Sequence, residues 1–192
     1  MGNLRGGEKS MKIVLGVTGS VAAKLTPRMV EDLKLAGHEV QVVATESSMY
    51  FWKEADIDVR IWRDKDEWFG DLYKKDQDIP HISIRGWTDA IVIAPLSANS
   101  LAKMANGMSD NLLTSLIRAW DFAKPVILAP AMNTHMWNHP VTSEHLTKLR
   151  SWYKKLIIVD PVSKRLACGD IGKGAMADTA EIIRSLKYHE SY

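Results

Sequence analysis

Ile91-Val92-Ile93-Ala94-Pro95, followed by Leu96-Ser97-Ala98-Asn99, is the stretch that decides the fold. The mostly β-branched run has the length and continuity of a strand buried on both faces, and the proline, lacking a ladder N–H, is expected to stop it. The pattern recurs as Val126-Ile127-Leu128-Ala129-Pro130, which opens into Ala131-Met132-Asn133. Each copy delivers amide or hydroxyl side chains at a strand's carboxyl end, the edge where open parallel α/β sheets bind ligands. Two such loops predict one pocket with two polar walls.

Outward from these strands, apolar runs alternate with helical spacing. Lys12 to Gly16 reads as the first strand, Val21 to Ala36 as a helix and Glu39 to Ala44 as the next strand. Thr45 to Trp52 reads as a polar turn with a short helix. Residues 53–80 form a charged excursion with one short strand near Val59 to Trp62, to which no role is assigned. His81 to Trp87 is expected to lead into the strand Ala90 to Ala94. Asn99 to Met108 and Asn111 to Ala119 read as helices broken at Gly107. Thr142 to Trp152 is a helix, Leu156 to Val159 a strand and Asp160 to Met176 a glycine-rich loop. Asp178 is expected to cap a final helix with its carboxylate. Strands alternating with helices predict an α/β fold: a three-layer, doubly wound parallel sheet, flavodoxin/Rossmann-like.

At 192 residues, 46% hydrophobic and 25% charged, the chain suits one globular domain over residues 11–192, after a disordered leader over 1–10. A net charge of +2 gives no bulk attraction for nucleic acid or membrane, and no apolar run approaches the ~20 residues of a span. One cysteine excludes an internal disulfide framework and suits a reducing, cytoplasmic setting.

Several segments carry chemistry. Gly16-Val-Thr-Gly19-Ser20 joins the first strand to the first helix, where a bare backbone and helix N–H groups suit an anion; a plain tight turn explains it too. It is not Gly-x-Gly-x-x-Gly, and there is no Walker lysine. Thr45, Ser47 and Ser48 end the second long strand on the same edge. Ser97, Asn99 and Asn133 either cap the helices that follow or line one pocket, and their shared place after Ala-Pro favours the pocket. His81 is a structural residue or a base. Cys168, in Arg165-Leu-Ala-Cys-Gly-Asp-Ile-Gly-Lys-Gly-Ala-Met176, is a buried small hydrophobe or, beside Arg165 and Lys173, a proton donor or nucleophile. The histidines show no metal-ligand spacing, so no metal site is expected.

Together these segments resemble the homo-oligomeric flavin-containing cysteine decarboxylases, from Lys12 to about Leu186. The resemblance rests on Pro95-Leu-Ser-Ala-Asn-Ser100, Pro130-Ala-Met-Asn-Thr-His-Met-Trp137 and the Leu166–Ala177 loop. Gly19-Ser-Val-Ala-Ala23, His81-Ile with Trp87, and Asp110-Asn-Leu-Leu-Thr114 followed by Arg118-Ala-Trp-Asp121 add to it. It implies FMN as cofactor, held by Gly19, Ser20, Val21, Thr45, Ser47, Ser48, Ser97, Ala98, Asn99, Ser100 and Ala131. It places the catalytic groups on His81, Asn133 and Cys168, and substrate contacts on Asn133, Arg165, Ala167 and Met176. It also implies a homotrimer or higher homo-oligomer whose neighbouring chains complete the pocket.

The branch resembled acts on 4′-phosphopantothenoylcysteine in coenzyme A biosynthesis. An α-amido carboxylate has no sink for the electrons that CO2 leaves behind. The implied route oxidises the cysteinyl CH2–SH to a thioaldehyde, loses CO2 to an ene-thiol and reduces that to 4′-phosphopantetheine. His81 serves as base, Asn133 holds the carboxylate and Cys168 returns a proton. Ser100 stands where relatives carry threonine, Gly86 where they often carry a second arginine, and Ser83 where they often carry an acid. A non-enzymatic regulatory branch and a peptidyl-cysteine decarboxylase are the alternatives. The presence of His81, Asn133 and Cys168 disfavours the first, and the Leu-Ala-Cys-Gly-Asp loop the second. Pro-Ala-Met-Asn disfavours a flavin prenyltransferase, and an electron carrier would not require the three residues.

Overall fold

The computed structural model describes residues 10–68, 72, 74–165 and 171–187. Most of the expected leader, and the expected site residues Ala167 and Cys168, lie outside the described residues. Six strands form one parallel sheet: β1 (Lys12–Val17), β2 (Glu39–Ala44), β3 (Ile61–Arg63), β4 (Ala90–Leu96), β5 (Val126–Pro130) and β6 (Leu156–Ile158). Their order is β3-β2-β1-β4-β5-β6, so the winding direction reverses between β1 and β4. That reversal opens a crevice at the strands' carboxyl ends.

Alternation along the strands divides the core in two. Ile13, Leu15 and Val17 of β1 face α1 (Thr26–Leu35) and α8 (Thr179–Leu186), packing with Met29, Leu33, Ile182 and Leu186. Val14, Ile91 and Ile93 face the opposite layer of α3 (Pro80–Trp87), α4 (Ala98–Ala105), α5 (Leu112–Arg118) and α7 (Pro140–Trp152). All seven residues of β4 are buried. Each buried Leu or Ile contributes about 1.5–3 kcal/mol relative to an exposed one, an upper bound given a compact unfolded chain. Two short helices complete the set, α2 (Asp64–Glu67) and α6 (Thr134–Asn138). The three-layer, doubly wound reading is borne out.

Four local expectations need correction, and one segment left unassigned, His81 to Trp87, takes a defined structure. Pro95 does not stop its strand, whereas β5 does end at Pro130: β4 runs through Pro95 to Leu96, whose ladder partner is Pro130. The register shifts between Ile93 and Leu96, and a bulge is where a central strand tolerates a missing N–H. The expected helix Val21 to Ala36 is a 3-10 turn, Val21–Leu25, followed by α1. Pro27 cannot donate to the Ala23 carbonyl, and the Thr26 hydroxyl does so instead at 2.7 Å. His81 to Trp87 is helical, within α3, because Pro80 occupies a first-turn position where no N–H is required. The glycine-rich loop is an antiparallel hairpin of β7 (Val162–Arg165) and β8 (Ile171–Ala175). Asp178 precedes α8, but its carboxylate makes no cap bond and pairs with Lys164 of β7 at 3.0 Å.

Candidate active site

The first wall gathers at the carboxyl ends of β1, β2 and β4. The Val17 carbonyl accepts from the Thr45 N–H at 3.0 Å and from its hydroxyl at 3.3 Å. The fully buried Thr18 hydroxyl donates to the Pro95 carbonyl at 2.8 Å and accepts from the Ser97 N–H at 2.7 Å. Thr18 therefore bolts β1 to β4 across the switch point, a role its place inside Gly16-Val-Thr-Gly-Ser did not reveal. Ser97 accepts from the Ser100 N–H at 3.2 Å and donates to the Ser100 hydroxyl at 3.3 Å, capping α4. Ser48 is buried and donates to the Thr45 carbonyl at 2.7 Å.

The groups left toward solvent at this edge are Val21, Ser47 and Asn99, with Ser20 and Ala98 half-buried among them. Ser47 shares a 3.2 Å bond with Thr45, and Gly19 lies directly beneath it. A Cβ added at Gly19 would sit 2.5 Å from the Ser47 hydroxyl oxygen. A bare glycine backbone, hydroxyls and the first turns of the 3-10 helices Val21–Leu25 and Glu46–Tyr50 form a donor-rich cradle without a cation, suited to a phosphate.

The second wall follows β5. The Ala131 N–H donates to the Leu96 carbonyl at 2.9 Å, so a hydrogen bond ties the two walls together where they leave the paired strands β4 and β5. Asn133 caps α6, its Oδ1 accepting from the His135 N–H at 2.8 Å, which fixes the rotation of its amide. The β7–β8 hairpin closes against this wall: the Met132 N–H donates to the Gly174 carbonyl at 2.9 Å. Thr134 faces Gly172, and its buried hydroxyl has no partner among the described residues. Ser97 and Asn133 are thus helix caps and wall residues at once. Arg165 ends β7 opposite Ile171 and is exposed. Met176 is only 5% exposed and packs in the α1–α8 core.

His81 occupies the first turn of α3. A crossover helix runs antiparallel to its strands, which sets this turn toward the sheet's carboxyl edge. Its Nδ1 pairs with the buried Glu67 carboxylate of α2. Glu67 comes from the excursion that carried no assigned role. The same segment ties itself to the site's edge: Asp64 accepts from the Glu46 and Leu112 N–H groups, both at 3.2 Å, and Arg63 pairs with Glu46 and Glu54. Among the described residues no hydrogen bond joins the His81–Glu67 pair to either wall, and no group of three acidic, histidine or cysteine side chains is gathered to hold a metal.

The family model described as Flavoprotein matches residues 2–189. This chain belongs to the flavoprotein family. It is 43% identical, over 94% of its length and 87% of the relative's, to the phosphopantothenoylcysteine decarboxylase of Mus musculus. A solved PPC decarboxylase with a cysteine-to-serine change, complexed with pantothenoylaminoethenethiol, superposes with a TM-score of 0.89 at 40% identity, covering 96% of this chain and all of the other. The FMN binding protein AtHal3 superposes with a TM-score of 0.86 at 42% identity, covering 96% and 99%. Membership of the flavoprotein family agrees with the flavin that the resemblance implied, and the hydroxyl-rich cradle around Gly19 fits a flavin nucleotide's phosphate. No helix among the described residues is long and apolar enough to cross a membrane.

Proposed function

We propose that this chain decarboxylates 4′-phosphopantothenoylcysteine to 4′-phosphopantetheine. The observation that carries the reading is the hydrogen bond between Leu96 and Ala131. It sets the flavin-type loop after β4 beside the amide-bearing loop after β5. FMN, when bound, supplies a two-electron acceptor that takes and returns a hydride equivalent, so no net oxidant is consumed.

The chain's own residues do the rest. Gly19, Ser20, Val21 and Ser47 hold the phosphate, with Thr45 and Ser48 fixing that turn. Ser97, Ala98, Asn99, Ser100 and Ala131 form the ring side of the pocket. Asn133 grips the substrate carboxylate with its amide N–H donors and orients the bond that breaks. His81 takes the proton from the substrate thiol. Cys168 returns a proton to carbon after CO2 leaves, and Arg165 and Ala167 contact the substrate. The assembly is a homotrimer or higher homo-oligomer in which a neighbouring copy brings His81 to the walls. This agrees with the lack of any hydrogen bond between the His81–Glu67 pair and either wall among the described residues.

Purified protein is expected to be yellow, with a band near about 450 nm, and to release labelled CO2 from carboxyl-labelled substrate. A colourless protein that FMN does not restore overturns the binding assignment, and absence of labelled CO2 overturns the reaction.

A further inference from the structure

We propose that Glu67 is the positioning residue for His81, holding its ring with Nδ1 protonated so that Nε2 is the atom that accepts the substrate's proton. The proposal deepens the reading above, since it rests on His81 being the base. Its ground is that one buried carboxylate grips the same residue at two points. The Glu67 side chain is 4% exposed, whereas that of His81 is 25% exposed. Glu67 Oε2 accepts from the His81 backbone N–H at 3.3 Å, and Oε1 pairs with Nδ1 of the ring.

The first contact explains the place of the second. Ile79 precedes α3 and has no side-chain acceptor, and while the Ile82 N–H donates to the Ile79 carbonyl at 2.9 Å, the His81 N–H has no local side-chain cap. Glu67, fourteen residues earlier in the chain, supplies one from α2 and in doing so brings its other oxygen to the ring. An ionised carboxylate only accepts hydrogen bonds, so the nitrogen facing it carries the proton. In a neutral imidazole the other nitrogen then holds the lone pair. Nε2 makes no hydrogen bond with any described residue.

The test uses the FMN-loaded protein with nitrogen-15-labelled histidine, in wild type, E67Q and E67A. Long-range nitrogen–proton correlation reads the His81 tautomer, assigned by its loss in H81N. Wild type and E67Q are expected to show Nδ1–H, because the glutamine carbonyl still accepts. E67A is expected to shift toward Nε2–H. E67A is also expected to lower kcat about 10- to 100-fold with KM nearly unchanged, and E67Q to recover part of that loss. A carboxylate that merely caps α3 would leave the tautomer unmoved. An Nδ1–H tautomer persisting in E67A, or an Nε2–H tautomer in wild type, overturns the proposal. If E67A does not fold, E67Q decides: the charge loss must lower kcat with the tautomer kept, and an unchanged kcat overturns the proposal. A wild-type protein that shows the expected tautomer yet releases no CO2 refutes the proposed reaction and leaves the Glu67–His81 geometry standing.

Discussion

The Met132 N–H donates to the Gly174 carbonyl at 2.9 Å, and at that approach Gly174, with φ of +154°, has no space for a side chain. An added Cβ would overlap the Met132 carbonyl oxygen. This contact docks the β7–β8 hairpin on the wall that carries Asn133. Gly174→Ala is therefore expected to cost about 1–3 kcal/mol through an unfavourable backbone conformation and to lift the hairpin from the wall. Thermal unfolding should show a lowered Tm, and turnover should fall while FMN stays bound. Unchanged Tm and turnover would remove the docking role.

Gly19 and Ser47 make a similar close pair in the phosphate cradle. Gly19→Ala pushes the Ser47 hydroxyl away from its place and should weaken FMN binding by at least ~10-fold, about 1.4 kcal/mol. Adding Ser47→Gly restores space but removes a donor, so the double variant should recover only part of the loss. Quenching of flavin fluorescence on titration into apoprotein measures both, and an unchanged Kd in the single variant would contradict the cradle.

Asn133→Asp separates cap from chemistry. An aspartate still accepts from the His135 N–H, so α6 and the fold should hold. The variant presents like charge, without N–H donors, to the substrate carboxylate. Loss of a hydrogen bond to a charged group is worth about 1.5–3 kcal/mol, so turnover should fall roughly 10- to 100-fold or more with the flavin band intact. Wild-type turnover would take Asn133 out of the mechanism.

Tyr153 offers a test of the packing beneath the site. Burial raises its phenol pKa to about 12, with Arg118 pulling the other way, and its hydroxyl donates to the Ile117 carbonyl at 3.1 Å. In the unfolded chain the phenol titrates near about 10. Between these values the unfolded state has lost the proton that the folded state keeps, so stability falls as pH rises. Its contribution is fully present below pH ~10 and diminishes by about 2–3 kcal/mol toward pH ~12. Urea unfolding of wild type and Tyr153→Phe across this window should show a steeper decline for wild type. Parallel curves would contradict the assignment.

The sheet was legible because its strands advertise themselves locally. Ile91 to Ala94 and Val126 to Ala129 are buried on both faces, and so apolar at every position. The hairpin was not legible, because Val162–Arg165 and Ile171–Ala175 are polar or glycine-rich and gain their order by pairing with each other and docking on Met132. Pro95 misled for a related reason: its missing N–H is accommodated by a register shift against β5 that no local pattern signals. Of the site, the side chains after each Ala-Pro were readable from type and place. Thr18 and Glu67 were not, since their partners lie 77 or more and 14 residues away, reached only once the chain is folded. Asp178 looked like a cap by position, but Lys164, brought near by the hairpin, takes its carboxylate.

The central claim is that the two walls joined between Leu96 and Ala131 remove CO2 from a phosphorylated pantothenoylcysteine. Mass spectrometry of 4′-phosphopantothenoylcysteine incubated with the FMN-loaded protein tests it most directly. The account predicts conversion to 4′-phosphopantetheine by loss of CO2 with no added oxidant. Substrate recovered intact from a protein with its flavin bound would contradict it.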